Sequence, residues 1–419
     1  MLQKDIKAGV TAVVLPTSKF KTVRIEIHFL KNAEISDLSQ RTLISSILET
    51  SSAKYDNQVK LTHELSDMLG AGLGSGAVKR GRVHDVGFSM LVANEKFVNE
   101  PNLIHRGFDF LKEIIFNPLT IKGEAFDEKV FKRQKANLLN YIAGNEEDKQ
   151  YYAMQKIRSL TYGAKTLAGL PNYGEVKDVK ELNNGFLYRQ YLEMIQKDAV
   201  VITVSGDVDE AQILQEIEQL PIEPRKIQLN HIITKYDNLF EPRKEVETQD
   251  VKQAKLNISY NLPAYYTTDN FYPAIVFNAL FGGSPQSKLF LNVREKASLA
   301  YYASSSLGLA NGMMTVQTGI NQNNYEKAFE IIQQQLTAIQ KGEFSEEILE
   351  NIKKGIISDY IAGLDNQRMA HRQALSNYLL KKDLTSEQWI KYLKQVNKDD
   401  VVKLANDVVL RAQYFLKGE

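Results

Sequence analysis

In residues 41–55, "RTLISSILETSSAKY", the apolar side chains of Leu43, Ile44, Ile47 and Leu48 recur at helical spacing, while Ser46, Glu49 and Thr50 fall on a second face. Upstream, "TAVVLP" and "VRIEIHFL" cluster β-forming residues around the turn "TSKFK", which predicts a hairpin of two strands before that helix. A second helix, "LTHELSDMLGAGLGSGA", runs out into glycines, and "VHDVGFSMLVA" returns as a strand. Helical periodicity resumes in "NLIHRGFDFLKEIIFN" and "EAFDEKVFKRQKANLLNYIAG", separated by the break at Asn117 and Pro118. A buried strand, a Gly-Asp turn and an amphipathic helix in "AVVITVSGDVDEAQILQEIEQLP" then close a first domain at Pro221.

The following stretch is polar, carries Pro224 and Pro242 and keeps no period, so residues 221–245 are read as a linker between domains at 1–220 and 246–419. Beyond it the order repeats. "AKLNISYNL" is a strand, "FYPAIVFNALFG" a helix, "LAYYASSSLG" and "GMMTVQTGI" strands, and "NYEKAFEIIQQQLTAIQ" a helix. A long helical region, "SEEILENIKKGIISDYIAGLDNQRMAHRQALSNYLL", precedes a last strand, "RAQYFLKGE". The expectation is an α+β protein of two homologous domains, each a mostly antiparallel sheet covered by helices.

Composition narrows the chemistry. The chain has 52 basic and 51 acidic residues, so no long-range field gathers nucleic acid or anionic lipid, and neither is expected as a partner. There is no cysteine, which removes thiolate metal sites and cysteine nucleophiles. No apolar run approaches the roughly 20 residues of a membrane span, and the first residues lack a signal-peptide core, so the expected location is cytoplasmic. The histidines, His28, His63, His84, His105, His231 and His371, form no pair at zinc-ligand spacing on any helix. The run "GAGLGSG" follows a helix and lacks a Lys-Ser/Thr ending, which favours a helix stop over a phosphate loop.

The stretch "FNALFGGSPQSKLFLNVREKASLAYYASSSLG", residues 277–308, resembles the C-terminal-domain signature of the pitrilysin/insulinase metallopeptidase family, in the branch of the mitochondrial processing peptidase and compact bacterial homologues. The resemblance implies that Arg294 and Tyr301 donate hydrogen bonds to the peptide carbonyl under attack, with Tyr302 the alternate if the register is shifted by one. Such donors stabilise a developing oxyanion, and losing one commonly costs roughly 3 kcal/mol. Gly282 and Gly283 would form a glycine-rich lip at the substrate chamber, or simply a helix stop.

Catalytic relatives carry H-x-x-E-H on the first-domain helix, the histidines binding zinc and the Glu acting as general base. Placed on that pattern, this chain has Ser46 and Thr50 in the histidine positions and keeps only Glu49. The third ligand is expected near residues 137–141, where no carboxylate occurs before Glu146 and Glu147. No metal is therefore expected in this chain, and Glu49 is expected to be a helix carboxylate bonded to Ser46, Thr50 or a neighbouring strand.

Retained Arg294 and Tyr301 beside a lost zinc motif imply a chain inactive alone that binds peptide substrate and completes a homologous, zinc-bearing partner subunit. The alternative is a non-catalytic scaffold or peptide-binding pseudoenzyme in which the pair is a passenger. A homodimer of the isolated chain is compatible with either. An independent hydrolase using Glu49 lacks a nucleophile and an activating base.

Overall fold

The computed structural model describes residues 2–235 and 241–419, so residues 236–240 of the expected linker lie outside the described residues. The first half runs β1 (Leu2–Lys7), β2 (Val10–Pro16), β3 (Thr22–Asn32), α1 (Asp37–Leu48), α2 (Gln58–Asp67), β4 (Gly72–Arg80), β5 (Val83–Ala93), α3 (Leu103–Phe116), the short pair β6 (Thr120–Ile121) and β7 (Ala125–Phe126), α4 (Glu128–Glu147), α5 (Lys149–Tyr162), α6 (Val176–Glu181), α7 (Asn184–Lys197), β8 (Ala199–Gly206) and α8 (Glu210–Glu218). The second runs β9 (Arg243–Thr248), β10 (Ala254–Asn261), α9 (Phe271–Asn278), β11 (Ala300–Gly308), β12 (Met313–Ile320), α10 (Tyr325–Gln340), α11 (Glu346–Gly363), α12 (Gln367–Leu380), α13 (Ser386–Gln395), α14 (Lys398–Asn406) and β13 (Val409–Lys417). Strand β9 begins inside the stretch read as linker, because "RKEVET" pairs in parallel with β13.

One sheet has the order β1-β2-β8-β3-β5-β4 and the other β11-β12-β10-β13-β9. With β1 set aside, both follow one rule: first strand, fifth, second, fourth, third. The first and fifth strands pair in parallel, and every other neighbour is antiparallel. The repeat legible in the chain is therefore a repeat of topology. It also corrects the expected hairpin: β2 and β3 are not paired, because β8 lies between them. The reason is composition, since every residue of β8 is buried and its β-branched run "VVITV" suits a strand flanked on both edges.

The compact units are discontinuous: one comprises Met1–Ile142, Pro171–His231 and Leu364–Lys381, the other Ala143–Leu170, Ile232–Gly363 and Lys382–Glu419. Thus α5, from the first half of the chain, covers β10 and β13 of the second sheet. Its Ala153 and Ile157 pack on Ala412, Tyr414 and Leu416. Thr161 Oγ1 lies 2.6 Å from Ser259 Oγ. The Tyr152 and Tyr414 hydroxyls donate to the Glu247 carboxylate at 2.8 and 2.7 Å. Burial works to raise the Glu247 pKa, but the donors Tyr414, Tyr152, Gln249 and Lys156 outweigh it and hold the carboxyl at about 2.

In the other unit α12, from the second half of the chain, lies on β8. Its His371 ring sits between Thr203 Oγ1 at 2.5 Å and Ser205 Oγ at 2.7 Å. One turn earlier, Gln367 Nε2 donates to the Thr22 carbonyl at 3.0 Å. The long helical region read from sequence is accordingly two helices, α11 and α12, divided before the Asn366 cap, whose side chain accepts from Arg368 N. Among the described residues no helix is long and apolar enough to cross a membrane.

Candidate functional site

After α9 the chain widens into two π-helical segments, Ala279–Gly283 and Phe290–Lys296. Wide turns of this kind reorient side chains relative to an α-helix. Arg294 lies in the second, with its guanidinium 4.6 Å from the Phe290 ring centroid and Nε 3.5 Å from Glu295 Oε1. The segment closes through Leu299 N–H to the Val293 carbonyl at 3.1 Å, and Ser298 takes a left-handed φ of 51° at the turn into β11.

Strand β11 is an edge strand, and its register against β12 slips at the start: Ala300 faces Ile320 while Tyr302 faces Gly319, leaving Tyr301 as the extra residue. A bulge of this kind re-aims a side chain. Tyr301 is 78% exposed as a result. Both Arg294 and Tyr301 line one open cavity of about 600 Å³, with Lys252, Glu295, Asn321 and Asn324 among the other walls. Residues widely separated in the repeat are thus brought to one wall of the second unit.

Tyr302 does not line that cavity. Among the described residues its buried hydroxyl has no hydrogen-bond partner, and Lys255 Nζ lies 5.4 Å from its ring centroid. Burial, with the charge of Asp148, pushes the phenol up to about 12. The ring occupies the space above Gly319, where an added Cβ would lie 2.6 Å from Tyr302 Cε1. The alternate register therefore places a packed aromatic, not a donor, at the site.

Gly282 and Gly283 do not line the cavity either. A Cβ on Gly282 would lie 2.7 Å from Ser305 Oγ and 2.8 Å from both Leu289 Cδ1 and Ser305 N, so this glycine lets the π-helical turn approach β11. Gly283 is crowded by Asn278 in the same way. Close packing is what the structure assigns to the pair.

On the first-domain helix the three residues of interest have local partners. Ser46 Oγ donates to the Thr42 carbonyl at 3.1 Å, and Thr50 Oγ1 to that of Ile47 at 3.0 Å. Helix α1 ends at Leu48, with Glu49 as its cap residue. Glu49 Oε2 accepts from Ser75 Oγ of β4 at 2.6 Å. The neighbouring strand is therefore its partner, and the strand is the glycine-rich run "GLGSGAVKR", which forms the sheet edge.

From α4, Gln134 reaches the turn that follows α1, its Nε2 donating to Thr50 Oγ1 at 3.3 Å. Asn137 Nδ2 in turn donates to Gln134 Oε1 at 3.3 Å. Glu146 and Glu147 stand at the far end of α4, roughly 18 Å along the axis from Gln134 at 1.5 Å per residue. Hydroxyls turned onto backbone carbonyls and a neutral amide do not fit a zinc ion, which requires imidazole, thiolate or carboxylate donors. Among the described residues no group of three or more His, Cys, Asp and Glu could hold a metal.

Sequence reading did not find the polar network on the first sheet. His28 Nδ1 lies 2.9 Å from Asp85 Oδ1, His28 Nε2 lies 3.3 Å from Glu26 Oε2, and Arg80 Nε donates to Asp85 Oδ2 at 2.8 Å. Burial opposes the imidazolium, but Asp85 and Glu26 overcome it and raise His28 to about 9. His371 and His84 are the reverse case, lowered by burial to about 4 and about 3. The signal was present only as the alternation "RIEIH", which places Arg24, Glu26 and His28 on one face of β3.

Residues 182–356 match the model of the family described as peptidase M16 inactive domain. The chain is 32% identical over 425 residues to the Bacillus subtilis (strain 168) protein named "Probable inactive metalloprotease YmfF", covering 99% of this chain and 97% of that one. Among solved structures, a conserved protein from Enterococcus faecalis V583 superposes with a TM-score of 0.94 at 36% identity, over 100% of this chain and 98% of that one. A protease from Helicobacter pylori shares the fold, with a TM-score of 0.83 at 14% identity over 99% of each chain.

Proposed function

The chain belongs to the M16 peptidase family as a member that has lost the zinc motif, and from that membership we propose that it is the non-metal subunit of a two-subunit peptidase. Its role is to bind a peptide segment in the second unit and to present Arg294 and Tyr301 to the carbonyl that a homologous, zinc-bearing subunit attacks. The observation that supports this reading is the convergence of Arg294 and Tyr301 on one cavity, while the first helix keeps only Glu49 of the zinc motif.

The chemistry of the two residues follows from their placement. Tyr301 stands out from an edge strand on a bulge, so its phenol reaches an incoming peptide without breaking the sheet. The Arg294 guanidinium rests on Phe290, which limits its rotamers while leaving donors for a carbonyl oxygen. As charge builds on that oxygen, both hydrogen bonds strengthen, which is the condition for lowering a barrier instead of only tightening binding. A zinc site in the partner would supply the activated water, and this chain's part is to hold the carbonyl.

The test is to co-purify the chain with an H-x-x-E-H homologue from the same source and to measure cleavage of a flexible peptide by each subunit and by the pair. Turnover is expected only from the pair, reduced about a hundredfold by Arg294→Ala and at least tenfold by Tyr301→Phe. Unchanged turnover in both variants assigns the chain a scaffold role instead. Metal analysis of the isolated chain should find no stoichiometric zinc, and a tightly held equivalent would overturn the reading of the first helix.

A further inference from the structure

The cavity at Arg294 and Tyr301 has an uneven charge. Two cations line it, Lys252 and Arg294, against a single carboxylate, Glu295. Glu295 Oε1 approaches Arg294 at Nε, 3.5 Å away, and among the described residues the two terminal nitrogens of the guanidinium have no hydrogen-bond partner. Lys252 is exposed, on the turn just before β10, and makes no ion pair or hydrogen bond among the described residues. Two neighbouring lysines of this unit are engaged: Lys255 donates to Gln253 Oε1 at 2.7 Å, and Lys156 pairs with Glu247 at 3.2 Å. Amides complete the wall, with Asn321 and Asn324 on the loop after β12.

A peptide carbonyl needs neutral or single-charge donors, which Tyr301 and Arg294 supply. A second, unpaired cation in the same cavity is surplus to that task, and an open cavity of about 600 Å³ has room for several residues of peptide. A carboxylate satisfies the surplus, because charge-assisted hydrogen bonds from ammonium or guanidinium groups are about twice as strong as neutral ones.

We propose that the second-unit cavity selects peptides carrying a carboxylate, held by Lys252 beside the carbonyl donors Arg294 and Tyr301. The proposal rests on the peptide-binding reading above and adds to it the class of peptide. The same anionic group is offered by an internal Asp or Glu side chain or by a free C-terminus, and Lys252 serves for either.

The experiment measures fluorescence anisotropy of the full chain with three labelled peptides of one flexible sequence. The first has an internal Glu and an amidated C-terminus, the second has Gln in its place and is amidated, and the third has Gln and a free C-terminus. At low salt the better carboxylate peptide is expected to bind about tenfold more tightly than the neutral one, about 1.4 kcal/mol by the free-energy relation. Which of the two gains identifies the source of the carboxylate. Lys252→Gln should collapse the gain, whereas Lys132→Gln, which removes an equal charge from α4 outside this cavity, should preserve it. The gain should shrink as salt is raised, because Lys252 is exposed to solvent. Equal affinity for all three peptides, or a gain that survives Lys252→Gln, overturns the carboxylate proposal and leaves peptide binding standing. Binding of none of them overturns both.

Discussion

Deprotonating His28 should weaken the first unit, and the direction and window follow from its partners. The ring is buried on β3 with Asp85 and Glu26 at its two nitrogens, Arg24 and Arg80 are the neighbouring cations, and His371, lowered by burial to about 4 and so neutral in this window, lies 3.6 Å from Glu26. Its pKa is about 9 in the folded protein against an ordinary value of 6.5. Below pH 6.5 both folded and unfolded chains carry the proton, and the stabilisation is fully present. Between pH 6.5 and about 9 the unfolded chain has lost a proton that the folded chain keeps, so stability falls as pH rises and the contribution is gone above the folded value. At 1.36 kcal/mol per unit the difference amounts to roughly 3 kcal/mol, a large share of the net stability of a domain. Urea denaturation followed by circular dichroism at pH 6, 7.5 and 9 measures it, with His28→Gln as the reference. The variant should be the weaker protein at pH 6, and the two curves should converge toward pH 9 and above. A wild-type stability that is flat across this window, or a pH slope shared equally by His28→Gln, would refute the reasoning.

Three other outcomes are expected. Tyr302→Phe should leave the turnover of the two-subunit pair unchanged and stability equal or slightly raised, because it removes a buried hydroxyl that has no partner among the described residues; a loss of turnover matching that of Tyr301→Phe would reassign the donor. Glu49→Gln should cost about 1 kcal/mol in thermal unfolding, by weakening the hydrogen bond from Ser75, and should change neither metal content nor pair activity; a fall in activity would return Glu49 to a catalytic role. Gly282→Ala should destabilise the second unit by about 1–3 kcal/mol, since the new methyl meets the backbone and side chain of Ser305 under 3 Å away; an unchanged melting temperature would show that the turn is free to move.

How much of this was legible in the chain depends on the range of the interaction involved. Helical spacing located α1, α4 and α10, and the β-branched run of 199–206 marked a buried strand, because those signals come from neighbours within a turn or two. The repeated order of elements disclosed a duplicated α+β fold for the same reason. Pairing was not legible: β2 and β3 are sequential, yet β8, closing a loop of well over a hundred residues, lies between them. The exchange of α5 and α12 was hidden for a related cause. Their apolar stripes are ordinary: Ala153 and Ile157 of α5 pack on Ala412, Tyr414 and Leu416, and polar contacts, Thr161 with Ser259 and His371 with Thr203 and Ser205, add to the seat of each helix on its distant strand, where no local period records the partner.

The site divides in the same way. Arg294 and Tyr301 were named from a motif, but the motif alone does not say which of two adjacent tyrosines faces the cavity. A strand alternates sides at every residue, so one step of register exchanges a donor for a buried ring. Here the choice is made by the bulge at Tyr301, and the bulge is accompanied by a glycine on the partner strand: Gly319 makes room for the Tyr302 ring, which turns inward. The local irregularity in the sheet and the absence of a side chain opposite it are thus one feature. Substituting Gly319 should therefore disturb Tyr301 through Tyr302, although Gly319 has no side chain with which to touch a substrate.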